Sequence, residues 1–269
     1  LVESELLYQQ DLDTEHEPLT EELLALQRDA KERQLLAELA RRERHPVVTL
    51  TDGPLELYNV RRDDRRFDQE LEKYLEVLSD LASQNVATAG YVDKPGSDLV
   101  VRLLELVLLR ERPEAAGRER PLKGLTDESL FRAHLQPGQR TAIFKIRSRS
   151  AERFAERLDG KMALHFFYLN VGRAQRPSLA RVEIPAWVVI QPWLINLLHA
   201  ALLEQCACMG NRPYPYALHR AHEIALVTFS ERRQLEDLIV AELARQKLPV
   251  ADPSHKQYAK DLSPKRPRR

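Results

Sequence analysis

The sequence contains little cysteine, no long apolar run and no excess of charge of either sign. The only two cysteines, Cys206 and Cys208, do not provide a disulfide framework, so a reducing compartment such as the cytoplasm is expected. Their C-A-C spacing also differs from the CxxC pairs of zinc knuckles. No uninterrupted apolar stretch approaches the ~18 residues that a membrane-spanning helix needs, and the acidic start of the chain lacks a signal-peptide core.

Charge and missing motifs exclude several further classes of protein. Lys and Arg total 41, as do Asp and Glu, which argues against coating nucleic acid by bulk charge but allows a local basic groove. The sequence has no GxxxxGK[ST], GxGxxG, GxSxG or HExxH motif. A P-loop ATPase is therefore not predicted, and the chain is not expected to drive its own movement on DNA.

The pattern of helices and strands predicts an α/β fold. The 269 residues allow one large domain or two small ones, and we expect a single domain over 1–250 with a basic, disordered tail over 251–269. Apolar periodicity and cap residues predict helices over 20–44, 67–85, 97–109, 126–135, 192–207, 217–228 and 229–246. Strands are predicted over 4–9, 47–53, 86–92, 141–147, 163–170 and 180–190. The alternation of helices and strands in the first half of the chain favours a mostly parallel sheet.

Two carboxylates are candidates for chemistry. Asp52 ends a buried strand, VVTLTDG, where open α/β sheets bind ligands, although Asp-Gly is also common in turns. Glu32 lies on the preceding helix, where most acids are solvated, and Glu38 is the reserve candidate. Carboxylate oxygens hold hard divalent cations, and such cations promote phosphodiester hydrolysis.

A third candidate is the segment RPYPYALHRAHEIA at 212–225. His219 and His222 share a helical face, and imidazole is both a common metal ligand and a proton carrier near neutral pH. The segment is equally typical of a buried cluster of aromatic and proline residues. Lys94, after the second strand, is either a phosphate contact or part of an ordinary DKPG turn.

Several motifs together resemble the NurA nuclease family, most closely its bacterial members. They are R-x-x-x-E at 28–32, TDGPL at 51–55, GYVDKPGS at 90–97, FFYLN at 166–170, RVEIPAWV at 181–188 and YPYALHRAHE at 214–223. The resemblance covers about residues 20–245. It implies an RNase H-like mixed sheet flanked by helices, with further helices at the C-terminus. It also implies a Mn²⁺-dependent nuclease, with Mg²⁺ as an alternative, that cuts single-stranded DNA and degrades DNA from the 5′ end.

The resemblance also implies roles for particular residues and partners. The family's metal-binding glutamate and second aspartate fall on Glu32 and Asp52, and its tyrosine and histidine fall on Tyr214 and His222. His222 is a further metal ligand or a proton carrier, and Tyr214 positions the phosphate or the attacking water. Lys94, Lys145, Arg147 and Arg149 are expected to contact the DNA backbone. The implied partners are a HerA-type hexameric ATPase and a second copy of the chain, acting in DNA end resection.

One departure from the family pattern leaves two alignments open. The family's first strand ends in Asp-Gly-Ser, and no such motif precedes Glu32. Because the chain starts at Leu1, we expect that the first strands are missing and that the sheet is open beside the Asp52 strand. The alternative alignment uses Asp52, Glu76 and Asp93 as the three acids. Rival functions are a non-catalytic adaptor on a DNA translocase and a transposase or resolvase.

Overall fold

The structure, a computed structural model, describes residues 21–56, 65–115, 118–156 and 158–247. Its helices are α1 (Glu21–Arg42), α2 (Arg65–Ser83), α3 (Leu99–Leu108), α4 (Asp127–Arg132), α5 (Arg149–Ala155), α6 (Ala186–Val189), α7 (Pro192–Ala207), α8 (Tyr216–Ala225) and α9 (Phe229–Arg245). Its strands are β1 (Val48–Asp52), β2 (Ala87–Asp93), β3 (Phe144–Lys145), β4 (Leu164–Asn170) and β5 (Leu179–Pro185). The strand predicted at 4–9, the cap residue Thr20 and the tail at 251–269 lie outside the described residues.

The five strands form one mixed sheet in the order β1-β2-β5-β4-β3. Only β1 and β2 are parallel, and the other three pairs are antiparallel. The α/β class with a mixed sheet and C-terminal helices is confirmed, whereas a mostly parallel sheet is wrong. Among the described residues, strand β1 is at the edge of this sheet and has β2 as its neighbour; the expected absence of the first strands stays a prediction.

Two local predictions are wrong, because contacts with residues distant in the sequence decide the structure at these positions. Strand β5 ends at Pro185 and lies between β2 and β4, so 180–190 is not one edge strand; proline, which lacks an N–H, is tolerated at the end of the strand. The helix predicted to begin with Ser97 as its cap begins at Leu99, and no side chain at the N-cap position bonds its first turn. Instead, the buried carboxylate of Asp127 accepts hydrogen bonds from the amides of Val100 and Val101, at 3.0 and 2.8 Å.

Helices cover both faces of the sheet. On α2, the apolar side chains predicted to share one face are all buried: Leu71, Tyr74, Leu75, Leu78 and Leu81. Helix α2 packs against α1, and α7 packs against β1 and β2. The buried residues Leu194, Leu198, Leu202 and Cys206 anchor α7. This arrangement leaves the C-terminal ends of β1 and β2 together at one edge of the sheet.

The described chain falls into two compact units, which meet in sequence between Ala221 and His222. The first unit contains the sheet and α1 to α7. The second contains the end of α8 and all of α9, a helix without a buried residue. Within the described ranges, no helix is long and apolar enough to cross a membrane.

Candidate functional site

Asp52 is the last residue of β1 and is solvent-exposed. It pairs in register with Tyr91 of β2, and the next amide, Gly53 N–H, donates to the Tyr91 carbonyl at 2.8 Å. Gly53 has a φ of +96°, in the left-handed region that favours glycine. The chain therefore turns sharply after Asp52 and leaves this carboxylate at the C-terminal end of the strand.

Glu32 of α1 lies within electrostatic range of Asp52. The side chain is exposed, yet partial desolvation raises the pKa of its carboxyl group. The neighbouring Arg33 lowers that pKa, and the negative charges of Asp29 and Asp52 raise it. The fold therefore brings the helix acid and the strand-end acid near each other, although 20 positions separate them in sequence.

Asp93 adds a third carboxylate at the same end of the sheet, because β1 and β2 run parallel and Asp93 lies two residues beyond Tyr91, the register partner of Asp52. Partial desolvation raises the pKa of Asp93, the adjacent Lys94 lowers it, and the charge of Asp52 raises it again. Lys94 is exposed and adopts a positive φ of 47°, which agrees with the predicted turn. The acidic Asp93 and the cationic Lys94 thus lie at the end of β2, the strand that pairs with the Asp52 strand.

Tyr214 lies in the loop between α7 and α8 and is half-buried. Burial raises the pKa of its phenol, and a hydrogen bond to the side chain of Asp52 raises it further. The phenol therefore stays protonated near neutral pH and interacts with Asp52 in its neutral form. Its ring packs edge-on against Tyr91, with 5.6 Å between the ring centroids, which fixes the direction of the hydroxyl group.

Tyr91 and Cys206 support this tyrosine, and sequence reasoning did not single them out. The Tyr91 hydroxyl lies 3.9 Å from the Cys206 sulfur, and both side chains are buried. Burial raises the pKa of the Cys206 thiol to about 11, so this cysteine remains a neutral packing residue. The sequence signal that could have identified Tyr91 is its place in the GYVDKPGS motif. Side chains alternate between the two faces of a strand, and Tyr91 points to the same face as Asp52, its register partner.

His222 lies on α8 and is exposed, and it belongs to the second compact unit. The cluster within the first unit comprises Glu32, Asp52, Asp93 and Tyr214. The proposed role of His222 stays a prediction. Glu76, from the alternative alignment, lies on α2 and is exposed.

The donor chemistry of this cluster fits a hard divalent cation. Mg²⁺-like ions are usually held by one or two carboxylates, with water and substrate phosphates completing the shell, and Glu32 with Asp52 supplies such a pair. No group of three or more His, Cys, Asp or Glu side chains within the described ranges could enclose a metal by itself.

Comparison with known proteins assigns the family. The family model described as NurA domain matches residues 1–227, most of the chain. No curated protein and no solved structure shows a match to the chain. The matched range includes every residue of the cluster described above. The chain belongs to the NurA family, which is a family of nucleases.

Proposed function

We propose that this protein is a metal-dependent deoxyribonuclease that cleaves single-stranded DNA and degrades DNA from its ends. The observation that carries the proposal is the position of Asp52 at the C-terminal end of β1, paired in register with Tyr91 and within electrostatic range of Glu32 and Tyr214. The two carboxylates supply the anionic oxygens that a hard cation needs at a phosphodiester. Mn²⁺ is the proposed metal, and Mg²⁺ is the alternative.

Each side chain has a separate part in the proposed reaction. A bound divalent ion lowers the pKa of a water molecule and stabilises the charge of an in-line displacement. Asp52 and Glu32 would hold that ion, and the Tyr214 hydroxyl would orient the Asp52 carboxylate. His222 is proposed, on the family resemblance alone, as a further ligand or a proton carrier. Lys94, Lys145 and Arg147 are exposed cations that can bind the DNA backbone without reading its sequence.

The proposed cellular role is DNA end resection in the cytoplasm. Because the sequence contains no P-loop, translocation is assigned to a HerA-type hexameric ATPase, with the nuclease acting as a homodimer. Co-purification of the two proteins, followed by light scattering, tests both the complex and the dimer. The adaptor function would be favoured if the complex forms but the chain does not cleave DNA with any divalent metal.

The direct test is a cleavage assay on the purified full chain. We expect Mn²⁺ to support cleavage of circular and linear single strands, and EDTA to stop it. Circular substrates report endonuclease action, and linear substrates labelled at the 5′ or the 3′ end report the polarity of degradation. Equal cleavage with and without EDTA would contradict a metal-dependent mechanism.

Replacing Tyr214 by Phe should weaken metal binding and cleavage by about 10- to 100-fold, because the Asp52 carboxylate loses the donor that orients it. The packing of the ring against Tyr91 remains, so the melting temperature should change little. Tyr91→Phe is the matched control, since it removes only a hydroxyl beside Cys206. Calorimetric titration with Mn²⁺ and the cleavage rate measure the effect. A Tyr214→Phe protein equal to the wild type would exclude an orienting role.

Replacing His222 by Ala should lower the cleavage rate by about 10²- to 10⁴-fold if this residue carries a proton in the reaction. The side chain is exposed, so folding should be unaffected. His134→Ala, at another exposed histidine, serves as the control. The pH–rate profile separates the two possible roles, because loss of a proton carrier removes one limb of the profile, whereas loss of a ligand raises the metal concentration required.

A further inference from the structure

The residue next to Glu32 is a buried arginine that links α1 to the segment after β1. Arg33 has only 6% of its surface exposed. Its Nη1 donates to the carbonyl of Asp29 at 2.8 Å, and its Nη2 donates to the carbonyl of Pro54 at 3.2 Å. One guanidinium group therefore joins the helix that carries Glu32 to the turn that follows Asp52.

Two further side chains hold the same turn. The Arg33 guanidinium lies over the Tyr74 ring, 4.9 Å from its centroid, and the Tyr74 hydroxyl donates to the Leu55 carbonyl at 2.9 Å. The Leu55 amide donates to the buried carboxylate of Glu183 at 3.0 Å. The turn after Asp52 is thus fixed from α1, α2 and β5.

A small cavity lies beside Arg33, in the layer between the sheet and α1 and α2. Its volume is about 10 Å³, and its walls include Arg33, Thr51, Tyr74, Thr49 and Thr88. Two polar atoms of residues in its walls, Arg33 Nε and Thr51 Oγ1, are buried and have no hydrogen-bond partner among the described residues. A volume of this size accommodates about one water molecule, and one water can accept from Nε–H and donate to the hydroxyl.

We propose that Arg33 is a positioning residue for the Glu32 and Asp52 pair, and that one water molecule bridges its Nε to Thr51 Oγ1. Arg33 directly follows Glu32 in the sequence, and Thr51 directly precedes Asp52. The bridge joins α1 to β1 on one side, and the bond to Pro54 joins α1 to the turn on the other. Together they set the separation of the two carboxylates. This inference rests on the proposed nuclease function.

Thr51→Val tests the water by the sign of its effect on stability. Valine has the shape of threonine without the hydroxyl. With the water bound, the substitution removes one of its partners, so the melting temperature should fall. Without the water, it removes a buried unsatisfied hydroxyl, so the melting temperature should stay the same or rise. An unchanged or raised melting temperature overturns the bridge.

The control is the double variant Thr49→Val with Thr88→Val. These two hydroxyls bond each other at 3.0 Å in the wall of the same cavity. Replacing both partners of one hydrogen bond by apolar groups of the same shape is nearly neutral. A fall in melting temperature that is specific to Thr51→Val therefore supports the water bridge.

Arg33→Lys tests the positioning role. Lysine keeps the charge but lacks the planar fork that bonds two carbonyls at once. We expect the Mn²⁺ dissociation constant, measured by calorimetry without DNA, to rise by about 10-fold or more. Cleavage at saturating Mn²⁺ should stay within about threefold of the wild type, because excess metal restores occupancy. An unchanged Mn²⁺ affinity in Arg33→Lys overturns the positioning role.

The Asp52→Asn protein separates this proposal from the proposed function. Mn²⁺ binding that survives in Asp52→Asn contradicts the metal site itself. Binding that is lost in Asp52→Asn but unchanged in Arg33→Lys contradicts the positioning role alone. The melting temperature of Thr51→Val depends on neither metal nor DNA, so it tests the water bridge in every case.

Discussion

Asp52→Asn is expected to abolish metal-dependent cleavage of single-stranded DNA while the protein stays folded. The substitution keeps the shape of the side chain and an oxygen that can accept from Tyr214, but it removes the negative charge that holds a hard cation. Because Asp52 is exposed, the change should shift the melting temperature little. Cleavage assays, Mn²⁺ calorimetry and thermal unfolding on the same preparations measure the three quantities.

Three further variants make this experiment discriminating. Glu32→Gln should show the same loss, because Glu32 is the carboxylate near Asp52. Glu38→Gln, at the reserve position on the same helix, should cleave normally. A Glu76→Gln protein that loses cleavage while Glu32→Gln keeps it would favour the alternative alignment. Undiminished cleavage by Asp52→Asn would place the metal site elsewhere in the chain.

Gly90→Ala is expected to damage both stability and activity. Strand β2 places Gly90 directly under the turn after Asp52, and a Cβ there would lie 2.6 Å from the Gly53 carbonyl oxygen and 2.7 Å from the Leu55 nitrogen. Both are backbone atoms, so the turn itself must move. We expect the free energy of unfolding to fall by about 3 kcal/mol. A chain of this size then melts roughly 6–12 °C lower.

The same displacement should reduce cleavage, because the turn carries Asp52. A shift of about 1 Å in a positioning element can lower a rate by about 10²-fold. Gly96→Ala is the matched control in the same GYVDKPGS motif, since a Cβ there would meet nothing within 4 Å. Thermal unfolding and the cleavage rate are measured for both variants. Equal behaviour of the two variants would contradict the close contact at Gly90.

Local sequence patterns were sufficient to predict most helices and the C-terminal ends of the two parallel strands, β1 and β2. The apolar face of α2 and the start of α8 at Tyr216 both follow the prediction closely. These features depend on residues within about two helical turns of one another, so their signals lie together in the chain. The same holds for Asp52 at the end of β1, where a β-branched run meets Asp-Gly.

Other features required the tertiary structure, because their partners are distant in sequence. Asp127 replaces the predicted cap of α3 from 26 and 27 positions away. The antiparallel pairing of β2 with β5 depends on how a long connection returns to the sheet, which no local period encodes. Pro185, which by itself is typical of an edge or a bulged strand, lies at the end of β5, and pairing with β2 and β4 makes β5 a central strand.

In the candidate site, too, some features follow from the local sequence and others required the tertiary structure. The sequence by itself determined that Glu32, Asp52 and Tyr214 are chemically suited to hold and orient a cation, because side-chain type and motif are local properties. Only the tertiary structure decided that Tyr214 and Asp93 come within electrostatic range of Asp52, and that Arg33 is buried. The physical reason is that burial and distance depend on the packing of α1, β1 and the loop before α8 against one another. A buried arginine and a surface arginine have the same letter in the sequence, and only the contacts around them distinguish their roles.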